Sequence, residues 1–317
     1  MTPRLLAPGR LAIGMQLPIQ SQSTIYSQPW EADAGPQGLE AIVRAADRAR
    51  FDYVGVCDHI AIPDESVGSM NATWYDTVAT LAWIAGFTSH VRLLSHVYVP
   101  AYRHPAAVVK AWSTLDALSN GRAILGVGAG HVAGEFDLLG IDHSARGRIT
   151  DEALPAIREG FRTGRVDGGW IAPRPVQDGG PPIWVGGSSK AALRRAAEFG
   201  DGWLPQGTTY PEMPEAIETI HTEQERIHGE RRPIDIGVIT TFIHVHDEGG
   251  SVDFDPPAGT FGGAPDRIAR GLGRLAELGV TQLQVRFAAR SADEYAEQVE
   301  RFGTEVAPLL PAPSPTP

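Results

Sequence analysis

The 317-residue chain has one cysteine, Cys57, so no disulfide can form within it. Lysine is almost as scarce. Lys110 and Lys190 are the only two, and arginine carries nearly all the positive charge. No apolar run approaches the ~20 residues of a membrane span. The N-terminus lacks the charged segment, apolar stretch and cleavage site of a secretory leader. Basic clusters are missing as well. With 27 Lys and Arg against 38 Asp and Glu the net charge is −11, which disfavours nucleic acid as a partner. A lone cysteine fits a reducing compartment. A cytoplasmic protein with neither membrane nor nucleic-acid partner is therefore expected. The arginine bias, with much Ala, Gly and Pro, hints at a GC-rich bacterial genome.

What is present is a rhythm. At 42% hydrophobic residues, the length is ample for one large core. Residues 1–10 have no period and read as a flexible arm. The Pro-rich end, 309–317, reads as a disordered tail. Between them strand-like runs (11–17, 53–56, 91–97, 122–127, 183–185, 202–204, 234–245 and 281–287) alternate with helix-like ones. The helices are expected at 37–50, 75–87, from His104-Pro105 to Ser119-Asn120-Gly121, then at 149–162, 190–199, 211–228, 265–278 and 292–306. A Gly/Pro-rich stretch, 164–182, reads as an insertion. Eight strand–helix units in order predict a single α/β domain over 11–308, a closed (β/α)₈ TIM barrel. The alternative is an open doubly wound sheet. Such sheets usually carry a glycine-rich turn after strand one, where this chain has Leu17-Pro18-Ile19-Gln20.

A barrel gathers the segments after each strand at one mouth, so the search for chemistry reduces to four windows. Cys57-Asp58-His59 follows strand two. An imidazole there can move a proton near neutrality, with Asp58 to orient it; or Asp58 caps a loop and His59 packs. Ser95-His96-Val97 ends strand three, where polar residues break an apolar run; they either face the mouth or simply end the strand. After strand four come Gly126, Gly128, Ala129, Gly130 and His131, with Glu135 just beyond. Alternate glycines permit close approach to a ligand or serve a tight turn. Gly186-Gly187-Ser188-Ser189 leads into a helix, where free amides and hydroxyls can hold phosphate or only cap the helix. Trp30, Trp74 and Tyr102 are candidates for an apolar substrate wall. No metal site is expected, because His244 and His246 share a strand face without a third ligand spaced nearby. No G-x-S-x-G nucleophile elbow occurs.

Four segments, FDYVGVCDHI (51–60), YRHPAAVVKAWSTLDALSNGRAILGVGAG (102–130), EFDLLGIDHSARGRITDEAL (135–154) and PPIWVGGSSKAALRRAAEFGDGW (181–203), together resemble the luciferase-like superfamily of flavin- and deazaflavin-dependent enzymes. The second and third are most similar to its coenzyme F420 branch. The resemblance implies a barrel whose strand ends carry the cofactor ring, a non-prolyl cis peptide near His96-Val97 backing that ring, a cofactor-side histidine at His59, and phosphate at 186–189. It also implies a homodimer. The chain departs from the sugar-phosphate dehydrogenases of that branch. It has His131 for their glutamate, Pro63 for their tryptophan, and Thr209 near their lysine, which argues against that substrate. The expected function is hydride transfer between F420 and a small organic substrate. His59 and His131 would act as acid and base, Asp58 as orienter and Glu135 as a helper at the substrate. An FMN-dependent monooxygenase with a separate reductase is the alternative, and a non-catalytic flavin-binding protein a further one.

Overall fold

The computed structural model describes residues 10–312. Eight strands form the barrel: β1 (Ala12–Gln16), β2 (Tyr53–Val56), β3 (Arg92–Ser95), β4 (Ala123–Val127), β5 (Ile183–Gly186), β6 (Gly202–Leu204), β7 (Asp235–Val245) and β8 (Gln282–Phe287). Each pairs in parallel with the next, and β8 pairs with β1, which closes the cylinder. Closure answers the choice between barrel and open sheet.

Eight helices form the sleeve: α1 (Glu31–Arg48), α2 (Thr77–Ala85), α3 (Pro105–Leu118), α4 (Arg146–Thr163), α5 (Lys190–Phe199), α6 (Met213–His228), α7 (Pro265–Ala276) and α8 (Ala292–Arg301). Their starts follow ordinary capping. Asp76 accepts from the Ala79 amide, Ser189 from Ala192 and Ser291 from Glu294. α1 begins earlier than its apolar period because a turn at Glu31 joins the helix across a kink at Gly35 (φ 60°), just before Pro36. α8 ends at Arg301 and passes into a π-turn, 302–306, instead of running on as one α-helix.

Two apolar layers result. One fills the space between strands and sleeve, around Ile42, Val54, Trp112, Leu125, Ile157 and Val285. The other fills the barrel interior with Ala12, Tyr53, Leu94, Ile124, Trp184 and Leu204. Tyr53 and Trp184 meet edge-on at 5.3 Å there. A β-carbon on Gly14 would fall inside the Tyr53 ring, so glycine at that position makes room for it.

Several short features were absent from the periodicity, three of them near the strand ends or the insertion. A short helix, Ala133–Leu138, follows β4; a ninth strand, Phe261–Gly263, pairs in parallel with the end of β7; and Arg165–Val166 pairs with Gly169–Trp170 as a hairpin within the expected insertion. All are too short to show a period. The Asp116 carboxylate pins that insertion, accepting from the amides of Val176 and Gln177 at 2.8 and 3.0 Å. Of the expected N-terminal arm only Arg10 is described, and it pairs with Asp52. Residues 313–317 of the expected tail lie outside the described residues. Among the described residues, no helix is long and apolar enough to cross a membrane.

Candidate active site

The ends of β2, β3 and β4 bring together one hydrogen-bonded group. His59, just past β2, meets Glu135 of the Ala133–Leu138 helix, Nδ1 to Oε2 at 2.9 Å. Tyr102, in the turn after β3, donates its hydroxyl to the same oxygen at 2.9 Å. The amides of Ile60 and Ala61 donate to Oε1 at 2.5 and 3.2 Å. Glu135 is fully buried. Burial pushes its carboxyl up, but the bond from His59, the Ile60 amide and Tyr102 outweigh that and hold it below the usual carboxylate range. Burial, then the nearby carboxylate, pushes the Tyr102 phenol well up, so it stays a donor. The Trp74 ring stands edge-on to His59 at 4.3 Å. The His131 ring lies 6.0 Å from that of His59. Burial, then neighbouring His59, pushes the His131 imidazole below its ordinary value.

Asp58 does not orient His59. It is paired in bidentate fashion with Arg103, at 2.6 and 2.8 Å, and accepts from the Val99 amide and the Thr77 hydroxyl. Its carboxylate ties the start of α2 to the segment after β3 that carries Tyr102. Glu135 takes the orienting position.

The peptide His96–Val97 is cis, at the place implied by the family resemblance. The Ser95 hydroxyl, expected at the mouth, is buried and donates to the Gly126 carbonyl at 2.7 Å. The glycines after β4 and β5 serve this bend. A β-carbon on Gly128 would lie 2.5 Å from Val97 Cγ2, and one on Gly186 would lie 2.8 Å from Cγ1. Gly130 (φ 80°) is crowded by the Phe136 ring. Ala129 lies between Gly128 and Gly130 in the same rim segment. Burial, then the charge of Arg286, drives the His96 imidazole down to about 4.

At the β5 rim Gly187 adopts φ 108°, and Ser189 caps α5. The Ser188 hydroxyl accepts from the Gln206 amide at 2.9 Å and the Thr208 hydroxyl at 2.5 Å, tying the β5 and β6 loops together. Trp30 is not part of the His59 group. Its ring packs on Tyr295 at 5.7 Å and borders a separate cavity with Phe254 and Arg290. Among the described residues, no group of three or more His, Cys, Asp or Glu is placed to hold a metal ion.

The sequence pattern of the luciferase-like monooxygenases matches residues 11–249. The chain belongs to that family. It is therefore an enzyme of the oxidoreductase class, and its similarities run to both cofactor branches. The F420-dependent hydroxymycolic acid dehydrogenase of Mycobacterium tuberculosis is 33% identical over 181 residues, 53% of this chain and 48% of the relative. The coenzyme F420 dependent tetrahydromethanopterin reductase from Methanopyrus kandleri superposes with a TM-score of 0.71 at 19% identity, over 94% of this chain and 99% of that one. Monooxygenase RslO1 from Streptomyces bottropensis gives 0.72 at 18% identity, again over 94% and 99%. The two superpositions establish a shared fold.

Sequence reasoning missed Arg286, Tyr26, Gln16 and Arg103. The one signal for Arg286 was a charge on the polar side of the alternating β8 run QLQVRF.

Proposed function

We propose that this luciferase-like oxidoreductase transfers a hydride between coenzyme F420 and an organic substrate, with His59 moving the accompanying proton. The observation that carries this reading is the buried Glu135 carboxylate on Nδ1 of His59. A carboxylate there holds the proton on Nδ1 and leaves Nε2 to the substrate. His59 Nε2 then accepts a substrate proton as the hydride departs. The charge that develops on the ring is met by Glu135, fixed in advance by two amides and Tyr102. In the reverse direction the same ring returns the proton. His131, whose ring lies 6.0 Å from that of His59, is the second polar group for the substrate.

The residues present fit a flavin-like group. The bent His96–Val97 segment, packed on Gly128 and Gly186, forms a shelf for a planar ring. The N-terminus of α5 with Gly186, Gly187, Ser188 and Ser189 would hold phosphate through its amides and its positive dipole end. A bound deazaflavin supplies a ring carbon that gives or takes two electrons as hydride. Trp74 and Tyr102 wall the substrate side. The similarity to an F420-dependent dehydrogenase supports this choice of cofactor.

The test is direct titration of the purified chain with F420 and with FMN, followed by absorbance. Micromolar binding of F420 without FMN is expected. Binding of FMN alone would replace this reading with the monooxygenase one. Cofactor binding without turnover of any substrate across a broad screen would make the chain a binding protein.

A further inference from the structure

A second polar group sits where β8 and β1 end. Arg286 is 8% exposed. Its Nη2 donates to Gln16 Oε1 at 3.0 Å, and its guanidinium lies over the Tyr26 ring at 4.1 Å. Gln16 also donates to the Cys57 sulfur, two residues before His59. The other buried arginine, Arg195, pairs with Asp151, and half-buried Arg103 pairs with Asp58. Arg286 forms no ion pair among the described residues. Glu31 borders the same region, but its oxygens accept from the amides of Ile19 and Gln28.

Arg286 lines a cavity of about 340 Å³ with Tyr26, Thr208, Tyr210, Val238 and Phe242. A bulge widens the wall beside it. Ile239 pairs with Gln284 and Phe242 with Arg286, so β7 carries one residue more than β8 over that step. A desolvated guanidinium without a carboxylate partner costs stability unless an anion completes it. Its planar fork suits a carboxylate. The chain's charge of −11 repels anions at long range, so an anionic substrate needs a local donor of this kind.

We propose that Arg286 is a substrate clamp that selects organic acids, gripping the carboxylate while the apolar body lies along Tyr26, Tyr210 and Phe242. The inference rests on the redox reading of this mouth and adds the substrate class. Gln16 links Arg286 to Cys57, two residues before His59, so the clamp stands beside the strand end that carries His59.

The test uses the full chain with and without F420. Acetate, benzoate and 4-phenylbutyrate are titrated against acetamide, benzamide and 4-phenylbutyramide by calorimetry. At least one acid is expected to bind about tenfold or more tightly than its amide. Arg286→Gln should erase that preference and leave F420 affinity nearly unchanged. Arg286→Lys, which keeps the charge, should keep part of the preference. The proposal is overturned if no acid is preferred by the wild-type chain, or if the preference survives in Arg286→Gln. It is also overturned if Arg286→Gln weakens F420 instead of the acid, which would assign the arginine to the cofactor. Failure of F420 to bind the wild-type chain would sink the redox reading separately.

Discussion

Glu135→Gln probes the His59 group most sharply. The carboxylate takes four donors on two oxygens: His59 and Tyr102 on one, Ile60 and Ala61 on the other. Glutamine preserves the shape but turns one oxygen into a donor. Whichever way the amide faces, two donors lose their acceptor. Hydrogen bonds to a charged group contribute about 1.5–3 kcal/mol each, so roughly 3–6 kcal/mol is at stake, less whatever relaxation recovers. That is a large share of the ~5–15 kcal/mol that holds a domain together. Turnover should fall about 10²- to 10⁴-fold, because His59 loses both its proton restraint and its counter-charge. The pH signature follows from the depressed carboxyl. Its contribution to stability is complete above the unfolded value, ~4.3, and is lost as pH falls through the lower folded value. Urea unfolding from pH 7.5 to 3 should therefore show less acid loss in Glu135→Gln than in the wild type. Single-turnover hydride transfer, followed by F420 absorbance, gives the rate. A variant that keeps its rate within about threefold, with His59 still in place, would refute the orienting role.

Three further outcomes are expected. Burial drives His96 down to about 4 and raises Glu31 to about 7. As pH falls from 6.5 to 4.5 the unfolded chain takes a proton at His96's position, which lowers stability, while folded Glu31 takes one, which raises it; each effect comes to about 2 kcal/mol over that window. The two offset in the wild type, and Glu31→Gln should expose a steep acid loss over that window in chemical denaturation. Gly128→Ala places a β-carbon 2.5 Å from Val97 and should cost about 1–3 kcal/mol while weakening cofactor binding, measured by urea melts and F420 titration. Arg103→Met strands the buried Asp58 carboxylate and should destabilise the chain by about 3–5 kcal/mol, with a thermal melt as the check.

The barrel was legible because its signals are local. The β2 run Tyr53–Val56 and the caps at Ser189 and His104 declare themselves within a few residues. His59, His131 and Glu135 were found as residue types in the right windows. Their partnership was not, because the six-residue helix that turns Glu135 toward His59 is too short to show a period. Asp58 misled for a physical reason. Adjacency to His59 made it the obvious orienter, but Arg103, 45 positions away, claims both its oxygens. The alternate glycines after β4 fit either close approach to a ligand or a tight turn; in the fold Gly128, with Gly186 at the end of β5, leaves room for Val97. Arg286 meets Gln16 across 270 positions, and only barrel closure brings them together.

A crystal structure of the chain with F420 bound tests the central claim most directly. The account predicts the deazaflavin ring on the His96–Val97 shelf, its phosphate at the α5 N-terminus, and its hydride-bearing carbon on the side of His59 Nε2. A ring bound elsewhere, or turned so that its hydride-bearing carbon faces away from His59, would contradict it.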